Sequence, residues 1–179
     1  MKNLSEIINI DNKSQHKTFK KGSVLQREGK SNSQAFFVKK GLLRSYTIDD
    51  KGKEHIFIFA PDGWVIGDLE SVEFNQPAKL FIDCMEDAEV IVFDRSKLSN
   101  LNLSKQQRST NIDLLSRRVA VLQRRVLMLM SASAKERYLF FLETYPELPH
   151  RVPQRMIASF VGITPEALSK IRREMAKAK

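Results

Sequence analysis

The stretch that decides the fold is SKQQRSTNIDLLSRRVAVLQRRVLMLM, from Ser104 to Met130. Its apolar residues recur at alternating steps of three and four positions over three heptads, which is the period of a coiled-coil seam. No proline or glycine interrupts the stretch, so it predicts one continuous helix, about 40 Å long at 1.5 Å per residue. The seam residues are Ile112, Leu115, Val119, Leu122, Val126 and Leu129.

The residue types along this seam favour two parallel strands. The first position of each heptad is β-branched and the fourth is leucine, the combination that fills the holes of a two-stranded coiled coil best. A second apolar stripe, Leu114, Val121 and Met128, would be free to cover a neighbouring domain. The alternative is a long amphipathic helix packed within its own domain. We predict a dimerisation helix.

The positive charge of the chain is confined to its second half. The 179 residues carry a net charge of +9, but residues 1–103 hold 15 basic and 15 acidic side chains, which cancel. Residues 104–130 hold six basic side chains and one acidic, and residues 151–179 hold seven and two. Such an asymmetry predicts a polyanion partner for the C-terminal half, nucleic acid being the commonest. A solvated charged face is the alternative.

The residues before the long helix predict a β domain. Short apolar runs over 18–93 are separated by turn sequences such as Asp49–Gly52 and Pro61–Gly63, a pattern typical of an antiparallel barrel or double-sheet roll. Asp94 is the expected N-cap of a brief helix over 95–101. We therefore divide the chain into a β-roll (1–103), a dimerisation helix (104–130) and a helical C-terminal domain (131–179), an α+β fold.

The C-terminal segment predicts a helix-turn-helix. Small residues stand at Ala158, where two helices cross, and at Gly162, where the turn requires positive φ. Thr164 then caps the second helix and Pro165 fills its first position. Upstream, Ser133 to Glu136 has the form of a capping box that starts another helix. Seven residues are the expected DNA contacts: Gln154, Arg155, Thr164, Glu166, Ser169, Lys170 and Arg173.

The sequence as a whole resembles the Crp/Fnr superfamily of bacterial transcription regulators. The resemblance rests on four features: the glycine-punctuated roll with Gly67-Asp68-Leu69, the long helix, the 133–142 helix with Arg137, and the segment from Ile157 to Arg172. The resemblance implies a cyclic-nucleotide-binding-type roll, a parallel homodimer and a DNA-binding C-terminal domain. It implies double-stranded DNA and RNA polymerase as partners and leaves open a small-molecule effector of unknown identity, while the single cysteine suits a reducing, cytoplasmic location.

The sequence departs from the nucleotide-responsive members of this family. Those members grip the cyclic phosphate with Gly-Glu and a later Arg-Ser or Arg-Thr, whereas this chain has Gly67-Asp68 and Ala78-Lys79. An arginine fork makes a bidentate phosphate contact that alanine cannot make and lysine mimics only as a point charge. The expected effector pocket consists of Gly67, Asp68, Lys79, Leu122 and Gln123, with an effector other than cyclic AMP or none. The sequence stops at Lys179, so no wing hairpin is expected after the second helix of the helix-turn-helix.

Other classes of protein fit the sequence less well. His16, His55 and His150 lack the spacing of metal ligands, so we predict no metal, no cofactor and no enzyme activity. The single cysteine, Cys84, excludes four-thiolate ligation of an iron–sulfur cluster and is expected in the core rather than as a redox switch. No signal peptide or membrane span is predicted. The remaining alternative is a ligand-sensing or partner-binding dimer whose DNA-binding domain is vestigial.

Overall fold

The structure is a computed structural model that describes residues 15–93 and 105–177. The chain divides into two units, Met1–Thr110 and Asn111–Lys179. The brief helix predicted after Asp94 lies outside the described residues, and the three-part division of the chain stays a prediction.

The described part of the first unit is built from strands in two four-stranded antiparallel sheets. One sheet has the order β1-β8-β3-β6 and the other β2-β7-β4-β5. This is the predicted double-sheet roll. The strands are β1 (Gln15–Phe19), β2 (Val24–Gln26), β3 (Ala35–Lys40), β4 (Leu42–Ile48), β5 (Glu54–Pro61), β6 (Val65–Gly67), β7 (Phe81–Cys84) and β8 (Ala88–Phe93).

Glycine turns set the path of the chain through the roll. Gly41, at φ +108°, carries the chain from β3 in one sheet to β4 in the other, and a Cβ there would lie 2.5 Å from the Asp87 carbonyl oxygen. At the predicted hairpin between β4 and β5, the Gly52 N–H donates to the Asp49 carbonyl at 2.8 Å. Only glycine meets both demands at Gly41, a left-handed conformation and a close backbone.

The core of the roll lies between the two sheets. Phe36 and Val38 from one sheet and Leu43 and Ile82 from the other are among its buried members. Cys84 belongs to the same cluster at 2% exposure. Burial raises the pKa of its thiol to about 11. The cysteine is therefore a small core hydrophobe, as the sequence predicts, and not a thiolate poised for oxidation.

The helices confirm the sequence-based boundaries closely. The long helix runs from Lys105 to Ser131, one residue later at each end than predicted. A short helix between β6 and β7 was not predicted. The helices are α1 (Leu69–Phe74), α2 (Lys105–Ser131), α3 (Ala134–Thr144), α4 (Gln154–Val161) and α5 (Pro165–Lys177), with a 3₁₀ turn at Leu148–His150.

Side-chain caps explain where α3 begins. The Ser133 side chain accepts a hydrogen bond from the Glu136 N–H, and the Glu136 carboxylate accepts one from the Ser133 N–H at 2.8 Å. This reciprocal capping box satisfies two N–H groups that the helix itself leaves without partners.

Candidate functional site

Two helices of the second unit cross as a helix-turn-helix requires. Ile157 and Ala158 of α4 and Leu168 of α5 are at most 1% exposed. Gly162 ends α4 in the left-handed conformation, φ 68°, and the Ile163 N–H closes the turn on the Ala158 carbonyl at 3.0 Å. The small residue at the crossing and the glycine at the turn therefore lie where the sequence pattern predicts them.

The first turn of α5 is held by its cap. The Ala167 N–H donates to the Thr164 hydroxyl oxygen at 3.2 Å. The Glu166 carboxylate accepts from its own N–H and from Thr164, and these bonds lower the pKa of Glu166. Glu166 is thus ionised at neutral pH and can only accept hydrogen bonds. Thr164 therefore caps the first turn of α5, whether or not it also contacts DNA.

The outward residues of the two helices form one exposed basic surface. Gln154, Arg155, Glu166, Lys170 and Arg173 are exposed, and Ser169 is half-buried. Arg155, Lys170 and Arg173 make no ion pair with other described residues. Arg173 donates from Nε to the Ser169 carbonyl at 3.4 Å. Cations that have no ion-pair partner among the described residues are available to phosphates.

The predicted dimer seam is exposed along α2. Ile112 and Val119 are each 62% exposed and Val126 is 54%; Leu122 and Leu129 are also exposed. The side chain of Leu115 lies outside those described. A row of this length that leaves five large aliphatic side chains in water is unusual on the surface of a monomer.

The expected effector residues of the roll are engaged with each other and with backbone groups. Asp68 is 2% exposed and is the N-cap of α1. One carboxylate oxygen accepts from the Ser71 N–H at 3.1 Å; the other accepts from the N–H groups of Lys79 at 2.7 Å and Leu80 at 2.9 Å. Asp68 therefore ties the loop before β7 to α1. Gly67 lies in β6 against Ala35, where an added Cβ would be 3.2 Å from the Ala35 Cα and Cβ atoms, a tight contact.

Of the two positions that correspond to the phosphate-gripping pair, one has an apolar side chain and the other has a cation that is already ion-paired. Ala78 is 2% exposed, and its carbonyl accepts from the Gly29 N–H at 2.7 Å. The Lys79 ammonium pairs with Glu70 on α1, and this bond raises the pKa of Lys79. Leu122 and Gln123, the remaining expected effector residues, are exposed on α2 in the second unit.

A buried ion-pair cluster on the second sheet is the main site that sequence reasoning missed. Arg44 of β4 donates to Asp83 of β7 from Nε at 2.8 Å and from Nη2 at 2.9 Å. It also pairs with Glu54 of β5 and stacks over the Tyr46 ring at 4.2 Å. Burial alone would lower the pKa of Arg44, but the bonds to Asp83 and Glu54 outweigh it and raise the pKa. Charged residues inside the apolar strands LLRSYTI and FIDC are the signal that points to it.

The other candidate residues remain surface or core groups. The His55 ring nitrogen pairs with Asp49 across the β4–β5 hairpin at 2.8 Å. Over the described ranges, His, Cys, Asp and Glu side chains form no group of three that could hold a metal ion. Among the helices of the same ranges, none has the length and apolarity needed to cross a membrane.

Comparison with known proteins places this geometry in a class. The cyclic nucleotide-binding domain family matches residues 16–104. The anaerobic regulatory protein of Haemophilus influenzae is 24% identical over 94% of this chain and 70% of its own length. The transcriptional activator protein FnrA of Stutzerimonas stutzeri is 26% identical over 85% of this chain and 66% of its own length.

A solved structure shares the fold over most of the chain. FixK2 from Bradyrhizobium japonicum superposes with a TM-score of 0.77 at 19% identity, covering 92% of this chain and 85% of FixK2. A cyclic nucleotide-binding roll, a long helix and a helix-turn-helix define a class of regulator-like proteins. The chain belongs to the Crp/Fnr superfamily.

Proposed function

We propose that this protein is a homodimeric, DNA-binding transcription regulator that reads an inverted-repeat operator. The observation that carries the proposal is the exposed surface of α4 and α5. There, Arg155, Lys170 and Arg173 lack ion-pair partners in the described chain, beside the ionised Glu166. Both sequence relatives carry names of regulatory proteins, which supports the same reading.

The roles of the surface residues follow from their chemistry. Ionised Glu166 is an acceptor, which suits the amino group of cytosine, and Lys170 is a donor for guanine in the major groove. Ser169 adds a hydroxyl beside them. Gln154, Arg155 and Arg173 hold phosphates and set the register of the helix on the duplex.

Homodimerisation through α2 explains why the operator would be two-fold symmetric. Pairing the exposed seam of one protomer with that of a second removes its aliphatic side chains from water. A two-fold dimer then presents its two recognition helices to half-sites about 34 Å apart. RNA polymerase is a further partner that the proposal implies.

Selection from a random duplex library tests the proposal. We expect an inverted repeat with half-sites about 10 base pairs apart. Lys170→Ala or Glu166→Ala should relax base preference by about 1–3 kcal/mol at one position of each half-site, whereas Arg155→Ala should weaken all sequences alike and lower the salt slope by about one.

Lys135→Ala is the matched control, because it also removes one exposed positive charge of this unit but lies outside α4 and α5. It should leave both the preference and the slope unchanged. An unchanged base preference in Lys170→Ala and Glu166→Ala would show that the recognition face is misplaced. A dimer that selects no sequence would favour the partner-binding alternative.

A further inference from the structure

Near the C-terminal end of α2, Arg125 lies against the first helix of the helix-turn-helix. Its guanidinium carbon is 4.1 Å from the centroid of the Phe160 ring. One of its Nη atoms donates to the Phe160 carbonyl at 3.5 Å. Burial lowers the pKa of Arg125, which nevertheless stays charged at neutral pH. A desolvated cation over an aromatic face is a stronger contact than an exposed one.

The contact falls at the C-terminal end of α4, where cations are favoured. The last carbonyls of a helix have no partner within it and carry partial negative charge. Arg137 of α3 reaches the same end, since its Nη1 atom lies 3.4 Å from where a Cβ on Gly162 would be. Leu129 of α2 approaches the same point at 3.4 Å. Side chains of α2 and α3 thus meet at the turn of the helix-turn-helix.

The space between these side chains holds no ligand site. The cavity lined by Arg125, Arg137 and Phe160 has a volume of about 10 Å³. That is room for about one water molecule, which would serve the buried Arg137 Nε, an atom without a partner in the described chain. These side chains therefore pack α2 and α3 against the helix-turn-helix and do not form a binding pocket.

The neighbouring arginine makes a different kind of contact. Arg124 pairs with Glu143 of α3 at 2.9 Å, and both side chains are more than half exposed. Its guanidinium lies 4.9 Å from the Phe140 ring. Exposed ion pairs stabilise little, because water screens them. The two arginines are adjacent in sequence and carry the same charge, but the contact with Phe160 is made by Arg125, whereas Arg124 contacts Glu143 and Phe140, so a change at one is a control for the same change at the other.

We propose that Arg125 is a positioning residue that fixes the direction of the helix-turn-helix relative to α2 through Phe160. In a dimer joined along α2, this contact would set the distance between the two recognition helices and hence the half-site spacing that the protein accepts. The inference rests on the proposed function for this consequence, but the orientation itself can be measured without DNA.

The DNA test compares Arg125→Met with Arg124→Met in the full chain, because each change removes one positive charge and keeps an unbranched apolar side chain. We expect Arg125→Met to bind the selected operator about tenfold more weakly, a change of about 1.4 kcal/mol. The affinity of Arg125→Met for a duplex with a single half-site should stay within about twofold of that of the unmodified protein. The preference for one spacer length over spacers a base pair longer or shorter should be lost. Arg124→Met should retain that preference.

The second measurement is independent of DNA. Spin labels on Ser116→Cys in α2 and Glu174→Cys in α5, both exposed, report the distance between these helices by pulsed electron resonance, with the labelled chain diluted into excess unlabelled chain so that only one protomer of a dimer carries labels. The buried Cys84, with its raised thiol pKa, should not take the label. The distance distribution should be narrow in the unmodified protein and in Arg124→Met, and broad in Arg125→Met.

Should Arg125→Met fail to fold, Phe160→Leu removes the ring but keeps the carbonyl and most of the apolar volume, and should give the same broadening. Identical distributions in all variants would overturn the inference, as would equal losses on the half-site and the full operator. If the unmodified protein selects no DNA, the proposed function fails, and the label distances alone decide the role of Arg125.

Discussion

At the scale of single residues, the buried charges of the roll depend most strongly on their partners, because they are removed from water. Arg44 and Asp83 have side chains only 8% and 12% exposed, while Glu54, the third member, is 41% exposed. Removing one partner of a buried ion pair leaves the other charge desolvated without compensation. The energetic weight of the cluster should therefore lie on the bidentate Arg44–Asp83 contact.

Asp83→Asn should lower the free energy of unfolding by about 3 kcal/mol, because the neutral amide cannot compensate the buried guanidinium. Urea unfolding of the isolated variant at neutral pH measures this. Glu54→Gln is the control: its carboxylate is partly solvated, so the loss should be below about 1 kcal/mol. Equal losses in the two variants would place the weight of the cluster elsewhere.

The cluster also shows which residue-scale features a sequence does not reveal. Its members lie 10 and 39 positions from Arg44, and only the order of strands β7-β4-β5 brings them together. Asp68 illustrates the same limit. Its type and place suggest an effector residue, which stays a prediction; the sequence did not reveal that three backbone N–H groups use its carboxylate, two of them 11 and 12 positions away.

The capping box of α3 gives a pH dependence at the residue scale. The side-chain and backbone hydrogen bonds with Ser133 lower the pKa of Glu136. A carboxyl whose pKa is lower in the folded state stabilises that state above its ordinary pKa, and the contribution disappears as pH falls through the folded value. Ser133→Ala should therefore raise the pKa of Glu136 toward its ordinary value.

The destabilisation caused by Ser133→Ala should then be largest at neutral pH and should shrink as pH falls through the lowered pKa of Glu136, below which the carboxyl is protonated in both proteins. A carbon-detected NMR titration follows the carboxyl, and unfolding at pH 7 and pH 3 follows the stability. Ser131→Ala, which removes a hydroxyl bonded to the Leu127 carbonyl instead, should leave the titration unchanged. A Glu136 titration that does not move in Ser133→Ala would contradict the assignment.

At the scale of elements, sequence patterns predicted helices better than sheets. The 3.6-residue period and the caps are local, and they gave the limits of α2, the start of α3 and both helices of the helix-turn-helix. The strands were predicted as a set, but their division between the two sheets was not. Consecutive strands β3 and β4 belong to different sheets, because Gly41 redirects the chain. The six-residue helix α1 is too short to show a period and depends on its Asp68 cap.

A charged substitution in the seam of α2 tests whether this seam forms the dimer interface. Leu122→Glu would place a charge in the middle of the proposed interface, where it would be desolvated without a partner. We expect this variant to be monomeric by multi-angle light scattering at concentrations where the unmodified protein is dimeric. Leu127→Glu is the matched control, since Leu127 is 54% exposed on the same helix but lies outside the heptad seam. A dimeric Leu122→Glu would remove this seam from the account.

At the scale of the whole molecule, the family and the helix-turn-helix could be inferred from the sequence, whereas whether the roll binds an effector could not. The helix-turn-helix residues form a continuous segment, so their geometry follows from spacing. The expected effector residues come from distant parts of the chain, Gly67 and Asp68, Lys79, and Leu122 and Gln123. The hydrogen bonds of Asp68 and Lys79 become visible only once β6, α1 and β7 are in place.

Those hydrogen bonds lead to a prediction about cyclic nucleotides. Ala78 has no donor in its side chain, and the Lys79 ammonium is paired with Glu70, so a cyclic phosphate would lack the bidentate partner that an arginine supplies. Each hydrogen bond to a charged group is worth roughly 1.5–3 kcal/mol, and about 1.4 kcal/mol changes affinity tenfold. Losing two such bonds should weaken binding by a factor of about one hundred or more.

Titration calorimetry with cyclic AMP and cyclic GMP measures this directly, and we expect no detectable heat of binding at micromolar nucleotide. Glu70→Gln sharpens the test, because it releases Lys79 from its ion pair and leaves the rest of α1 intact. If the ion pair is what withholds the ammonium, this variant should bind anions more tightly than the unmodified protein does, yet still far more weakly than a bidentate site, since a lysine acts as a point charge. Micromolar affinity of the unmodified protein for either nucleotide would mean that another residue supplies the phosphate contact.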